Sequence, residues 1–484
     1  MSKPIKSVLL GLCVIAAVVS LLFTGHQARA RRILTSYRAE LLARGEQLTV
    51  ARLSLVSISN SSSSFERFTN ALARIKRSRF FDPGALEPMR FIGPARAVVT
   101  HTQENPWVGQ LASSGPGWPV IYQELEAQEE ALHDLRGALV SVPQRGASVS
   151  SIDSSIPGLV EVRKATQWLM AATLGDLRKG KINAALDNLE ALVRMAQVYS
   201  GEPKLLEQMI RVAISGLASA ATWEFIQSPT LNEAQLLRLQ NVWSQVDLLT
   251  GVELGLLGER AFALELWEEA RTNRTFRSLS LVNPTGRAGI LDEYFTAYVK
   301  GPLYRLSSIN QDELFFLRTM QEALNALRAV KAGRPWVEVQ SSLENWLSQP
   351  PVLGEEFRHW LTSATRPNLL RACRTAVQRD TERRMTIVSI ALKRYELKYG
   401  RLPEKLNSLV PEIIASLPLD PMSGNAFGYR IDGQRAFVLY SVGSDGIDNG
   451  GDEGGPGPKW GFWTGPDAVW PSVAPSPTVQ PHAD

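Results

Sequence analysis

The chain has 484 residues, 44% hydrophobic and 21% charged, with a formal net charge of +4 at neutral pH. A single core stops growing at about 250–300 residues, so more than one domain is expected. Interspersed charges (52 basic against 48 acidic) give no electrostatic basis for nucleic-acid binding, and two distant cysteines, Cys13 and Cys373, exclude a disulfide framework or a cysteine metal site.

The amino terminus sets the expected compartment. Lys3 and Lys6 precede an uncharged, mostly apolar run, Ser7 to Gly25, about the length of a bilayer-spanning helix. Residues 1–30 read as a membrane anchor or as a signal segment cut after Ala28-Arg29-Ala30. The long apolar run, with Arg31 and Arg32 directly after the cut, favours the anchor. Arg29, Arg31, Arg32 and Arg38 offset Lys3 and Lys6, so loop charge does not set orientation. Cys13 does not suit lipidation, because Leu12 stands where a small residue is wanted and apolar residues continue after it.

Residues 31–140 read as a helical and irregular membrane-proximal region. A short helix from Ile33 to Arg44 stops at Gly45, and Thr49 opens the next stretch. The segment YRAELLARGEQLTVARL, Tyr37 to Leu53, resembles membrane-proximal segments of large bacterial envelope proteins with helical middles. A helix is expected from Phe65 to about Arg77, then Pro/Gly-rich irregular chain from Phe81 to Trp118, then a helix from Pro119 to Val140. The Ser, Gly and Pro-rich residues 141–158 read as a linker. Residues 159–366 form an expected helical domain, with breaks at Gly180, Gly201-Glu202-Pro203, Pro229 and Asn283 to Gly286. Gly180 with Ala185 matches the tight turn of a tetratricopeptide unit, but no 34-residue period follows, so a plain helical hairpin is expected. Thr230 and Glu233 suggest a capping box opening the helix that carries Leu236, Leu239 and Trp243.

Residues 367–453 carry the strongest signal. A long helix from Asn368 to Tyr399 ends at Gly400. Two apolar runs, Ala426 to Ile431 and Ala436 to Ser441, are expected to pair through an Asp432-Gly433 turn. Tyr395, Gly400 and Pro403 are followed by Asp420, Pro421, Gly424 and Tyr429, then by Ser441, Gly443, Asp445 and Gly446. This succession resembles the C-terminal domain of the type II secretion major pseudopilin family, over about the last fifth of the chain. The resemblance implies a long helix packed on a small antiparallel sheet, with a calcium ion held by an aspartate-bearing loop. Carried onto this chain, the implied metal ligands are Asp445, Asp448 and Asp452, with Asn449 and Glu453 beside them. Calcium takes six to eight oxygen ligands, and the glycines at 443, 446, 450 and 451 would let a backbone curl around it. The spacing is not that of an EF-hand.

One departure from the family stands out. Its subunits begin with a peptidase site of Gly, Phe and a Glu at the fifth mature position. Here Gly11 and Gly25 precede Leu and His, and no Glu occurs before Glu40, so a processed filament subunit is not expected. Residues 454–484 read as a largely disordered tail, with one or two of Trp460, Phe462, Trp463 and Trp470 packing back on the sheet.

Catalytic patterns are weak. The histidines His26, His101, His133, His359 and His482 show no ligand spacing, and neither a P-loop nor a nucleophile elbow is present. Glu253, Glu259, Glu265, Glu268 and Glu269 share one expected helix, where an envelope hydrolase would use an acid/base pair, but a solvated face explains them. The arginines 371, 374, 379, 383 and 384 read likewise as an exposed helix face. The expected architecture is mainly α: an N-terminal membrane helix, a helical-hairpin body and a small C-terminal α+β module with an antiparallel sheet. The expected role is non-enzymatic, as a structural or interaction protein of the bacterial envelope with a calcium-stabilised module. The expected location is the inner membrane in a single pass with most of the chain in the periplasm, or the periplasm alone after cleavage. The alternative is an accessory of a type II secretion or type IV pilus-like apparatus, docking to pseudopilin-type proteins.

Overall fold

The computed structural model describes residues 25, 27–54, 62–76, 89–90, 98–99, 118–143, 158–272, 295–347, 358–365, 368–432, 436–452, 454, 463 and 465–471. The membrane segment expected over Ser7 to Gly25, apart from Gly25, lies outside these residues, as do Glu453 and nearly all of the linker.

The protein is mainly helical with a small antiparallel sheet. Helix α1 (residues 27–43) places Leu34 and Leu41 on one face, and both join Leu48 against Leu264, Leu314 and Leu317. Gly45, at φ 82°, ends it as expected. Then come α2 (Val50–Ser54), α3 (Ser62–Arg74) and α4 (Trp118–Leu139), with a two-residue ladder, β1 (Met89–Arg90) and β2 (Val98–Val99), between α3 and α4. Helices α5 (Leu159–Arg178) and α6 (Ile182–Met195) pack along each other around Gly180, whose φ of 70° suits glycine. Helix α7 (Leu205–Ile226) follows the Gly201–Pro203 break, and α8 (Glu233–Ser244) and α9 (Leu249–Thr272) come next. A π-helical turn (Thr296–Lys300) runs into α10 (Gly301–Ser307), then α11 (Ile309–Lys331), α12 (Trp336–Leu347) and α13 (Trp360–Thr365).

The capping expectation for α8 is off by two residues. Asn232 is the cap: its side chain accepts from the Gln235 N–H, and the Gln235 side chain accepts from the Asn232 N–H. Glu233 is thereby released to bond Arg394.

Helix α14 (Leu369–Tyr399) is the spine of the molecule, packing on α7, α8, α9, α11, α12 and the sheet. Its basic residues are only partly a solvated face: Arg371 is exposed, while Arg374, Arg379, Arg383 and Arg384 are half-buried. Arg383 and Arg384 both bond Asp380, Arg379 bonds Glu382, and Asp380 and Glu382 are buried. Core packing on several sides of one helix forces its charges to pair inside the fold. One hydrophobic cluster, running from Phe68 to Trp470, includes residues on both sides of positions 158/159 and 366/367.

Strands β3 (Gly428–Ile431), β4 (Phe437–Ser441) and β5 (Ala468–Val469) form one antiparallel sheet in the order β3-β4-β5. Ile431 pairs with Phe437, and Asp432 N–H donates to the Ala436 carbonyl; Gly433 of the expected turn lies outside the described residues. The third strand comes from the segment expected to be disordered. Trp470 is buried after β5, and the Trp223 indole donates to the Pro471 carbonyl at 2.8 Å. Trp463 also packs back, donating to Glu382 at 2.7 Å.

One described helix, α7, is long and apolar enough to cross a membrane. Of its apolar window 67% is buried inside the fold, so core packing accounts for its composition.

Candidate functional site at the C-terminal turns

The turns between α14 and the sheet are tied together by a few specific bonds. Gly400 caps α14 at φ 71°, its N–H bonding the Glu396 carbonyl, and the Pro403 carbonyl accepts the Tyr429 hydroxyl at 2.8 Å. Burial pushes the Tyr429 phenol up to about 12. These contacts tie the end of α14 to β3.

Asp420 organises the first turn. Its buried carboxylate accepts from Met422 N–H (2.9 Å), the Ser423 hydroxyl (3.1 Å) and the Ser441 hydroxyl (2.9 Å). Burial raises its pKa above the usual carboxylate value, and these donors oppose the rise. The Pro421 carbonyl accepts from the Trp336 N–H at 3.0 Å, and a Cβ on Gly424 would meet the Gly333 carbonyl at 2.9 Å. The turn is therefore docked on the start of α12.

The second turn carries the expected metal ligands. Asp445 accepts from Ile447 N–H at 3.0 Å and Asp452 from Gly454 N–H at 2.7 Å. Asp448 accepts from Gly450 N–H at 2.9 Å and from the Tyr440 hydroxyl at 3.0 Å. The Asn449 side-chain amide donates to the Ile447 carbonyl at 2.9 Å. Each aspartate thus folds its own short turn, and Glu453 lies outside the described residues. Among the described residues no three His, Cys, Asp or Glu side chains are grouped to hold a metal.

What closes the loop is Asp467. Its carboxylate, 1% exposed, accepts from Asn449 N–H (3.1 Å), Gly451 N–H (2.7 Å) and Asp452 N–H (3.1 Å), while its own N–H donates to the Asp452 carbonyl at 3.1 Å. Sequence reasoning missed Asp467, although Gly465-Pro466-Asp467 before Ala468-Val469-Trp470 has the form of a turn entering a strand.

The α9 glutamates do not converge. Glu253 pairs with Arg328 and Lys331, Glu259 accepts from Leu205 N–H with its pKa raised by burial, and Glu268 pairs with Arg271. His133 lies exposed on α4, and His359 stacks on Phe315 with Nδ1 3.7 Å from the buried Asp312.

A buried polar network holds α1 to the body. Arg260, fully buried, donates to Glu46 and Gln321 at 2.7 Å each, and Arg328 also bonds Glu46. Burial alone would raise the Glu46 carboxyl; hydrogen bonds from Arg328, Arg260 and Gln321 outweigh it and hold the pKa at about 2.

Compared with protein-family models, curated proteins and solved structures, the chain finds no match.

Proposed function

We propose that the chain is a non-enzymatic, membrane-anchored extracytoplasmic protein of structural or interaction type, whose pseudopilin-like C-terminal module presents a fixed acidic loop. The observation that carries this reading is the Asp467 closure. A buried carboxylate accepting three backbone N–H groups sets a loop conformation, because leaving those donors unpaired would cost about 1–3 kcal/mol each. The carboxylates of Asp445, Asp448 and Asp452 then stand on a shaped surface rather than in a pocket. Support for the anchor is the apolar run Ser7 to Gly25, followed at once by a helix docked on the body. In this reading calcium, if it binds, adds to the outer carboxylates of a loop already closed by protein.

Thermal melting of the full chain in detergent tests the loop, in chelator and in millimolar calcium, for the parent, Asp445→Ala and Asp467→Asn. A calcium-dependent rise lost in Asp445→Ala assigns the ion to the loop. Melting unchanged by calcium but lowered by Asp467→Asn assigns closure to protein alone. Comparable melting of Asp467→Asn and parent in both conditions defeats the reading. Alkaline extraction of membranes tests the anchor, since a chain released into the supernatant is not membrane-spanning.

A further inference from the structure

The stretch from Phe295 to Leu306 places large apolar side chains where core formation gives them no place. Phe295 (56% exposed), Tyr298, Val299, Leu303 and Leu306 (71%) follow one another at spacings of three, one, four and three residues, which keeps them on one side of a helical stretch. The opposite side is committed to the body: Tyr304 is buried against Asp312, and the Lys300 ammonium lies 4.3 Å above the Trp360 ring. Soluble surfaces rarely carry so contiguous an apolar stripe without a use for it.

The stripe ends at a basic groove of about 760 Å³, lined by Arg31 and Arg32 of α1 and by Arg305, Leu306 and Asn310. Asn310 also holds the start of α1, donating to Gln27 at 2.8 Å. Arg31 and Arg32 are exposed and have no ion-pair partner among the described residues. Position in the chain identifies the occupant. The groove begins two residues after the apolar run that ends at Gly25. At 1.5 Å of helical rise per residue, Arg31 and Arg32 lie about 9–10.5 Å beyond that run, at the depth of lipid headgroups.

We propose that residues 295–306 lie on the membrane as an interfacial amphipathic segment, with Arg31 and Arg32 receiving the phosphates of anionic phospholipids. Phe, Tyr and Leu on one face beside arginine at its rim is the composition such segments use, and long arginine side chains reach the phosphate plane while their stems stay on apolar surface. The N-terminal span and the stripe together give the body two attachments, which fix its tilt against the bilayer. This rests on the membrane-anchored reading.

The test uses the full chain with Cys13→Ala, carrying an environment-sensitive fluorophore on Leu306→Cys, reconstituted into vesicles whose acyl chains are brominated. A label on Val140→Cys, exposed just past the end of α4, which does not pack on the stripe, is the control. In vesicles with about 30% phosphatidylglycerol, the Leu306 label should be quenched about twofold more than the control, and less in phosphatidylcholine alone. Arg31→Gln with Arg32→Gln should bring the anionic value down to the phosphatidylcholine value. Equal quenching of both labels, in chains that float with the vesicles, overturns the inference while the anchor stands. A chain that does not float overturns both. Quenching indifferent to lipid charge and to the two substitutions removes the headgroup assignment, as does loss of the anionic-lipid effect in millimolar inorganic phosphate.

Discussion

At the scale of single residues, two of the buried carboxylates make sharp predictions. Asp467→Asn keeps the shape but weakens three charge-assisted acceptances, so unfolding in denaturant should show a loss of about 1.5–3 kcal/mol. An Asp467→Asn midpoint equal to that of the parent would show that the loop is held elsewhere. Glu46 gives a pH signature. Its folded pKa, about 2, lies below the ordinary 4.5, so its stabilisation is complete above pH 4.5 and is lost as pH falls toward 2. Glu46→Gln should flatten that part of the acid-denaturation profile. Glu46→Ala, which leaves the fully buried Arg260 without its anion, should cost about 3–5 kcal/mol at neutral pH. Asp445, Asp448 and Asp452 were legible because glycine-flanked acids declare a turn. Asp467 was not, because a lone acid far from the loop reveals its role only when β5 brings it back.

Among elements, α9 and the chain entering α7 approach each other closely. A Cβ on Gly255 would stand 2.9 Å from the Leu205 Cα, and one on Gly258 would collide with the Pro203 carbonyl. Backbone cannot step aside as a side-chain tip can, so Gly258→Ala should destabilise by about 1–3 kcal/mol. Gly137 in α4 is the opposite case: nothing lies within 4 Å of its would-be Cβ, and Gly137→Ala should stabilise by about 0.4–1 kcal/mol. Thermal melts of the two variants against the parent should therefore move in opposite directions. Helix periodicity, Gly180 and Gly400 made the hairpin and the spine readable, since each follows from local backbone preference. The pairing of half-buried Arg383 and Arg384 with buried Asp380 was not readable, because the packing that buries Asp380 is contributed by distant helices.

Across the whole molecule, the C-terminal sheet is not an appendage. Arg394 donates to Glu233 of α8, to Gln240 and to the Ile413 carbonyl, and β5 seats Trp470 in the common core. Trp470→Ala should cost about 3–5 kcal/mol and should lower one cooperative transition rather than split it in two. Two separate transitions in calorimetry would mean that module and body fold independently. Small size and a recognisable motif made the module look separable in sequence. Its attachment depends on pairs such as Arg394 with Glu233, which no local pattern announces.

The bond from Trp223 to Pro471 joins positions 248 residues apart. At ribosomal speeds of about 5–20 residues per second, the partner of that indole emerges roughly 12–50 s after α7 itself. Throughout that interval one flank of α7 is made but uncovered, which invites holding chaperones. Defects at this contact should therefore surface as poor yield and degradation of nascent chains, even where the purified protein melts normally.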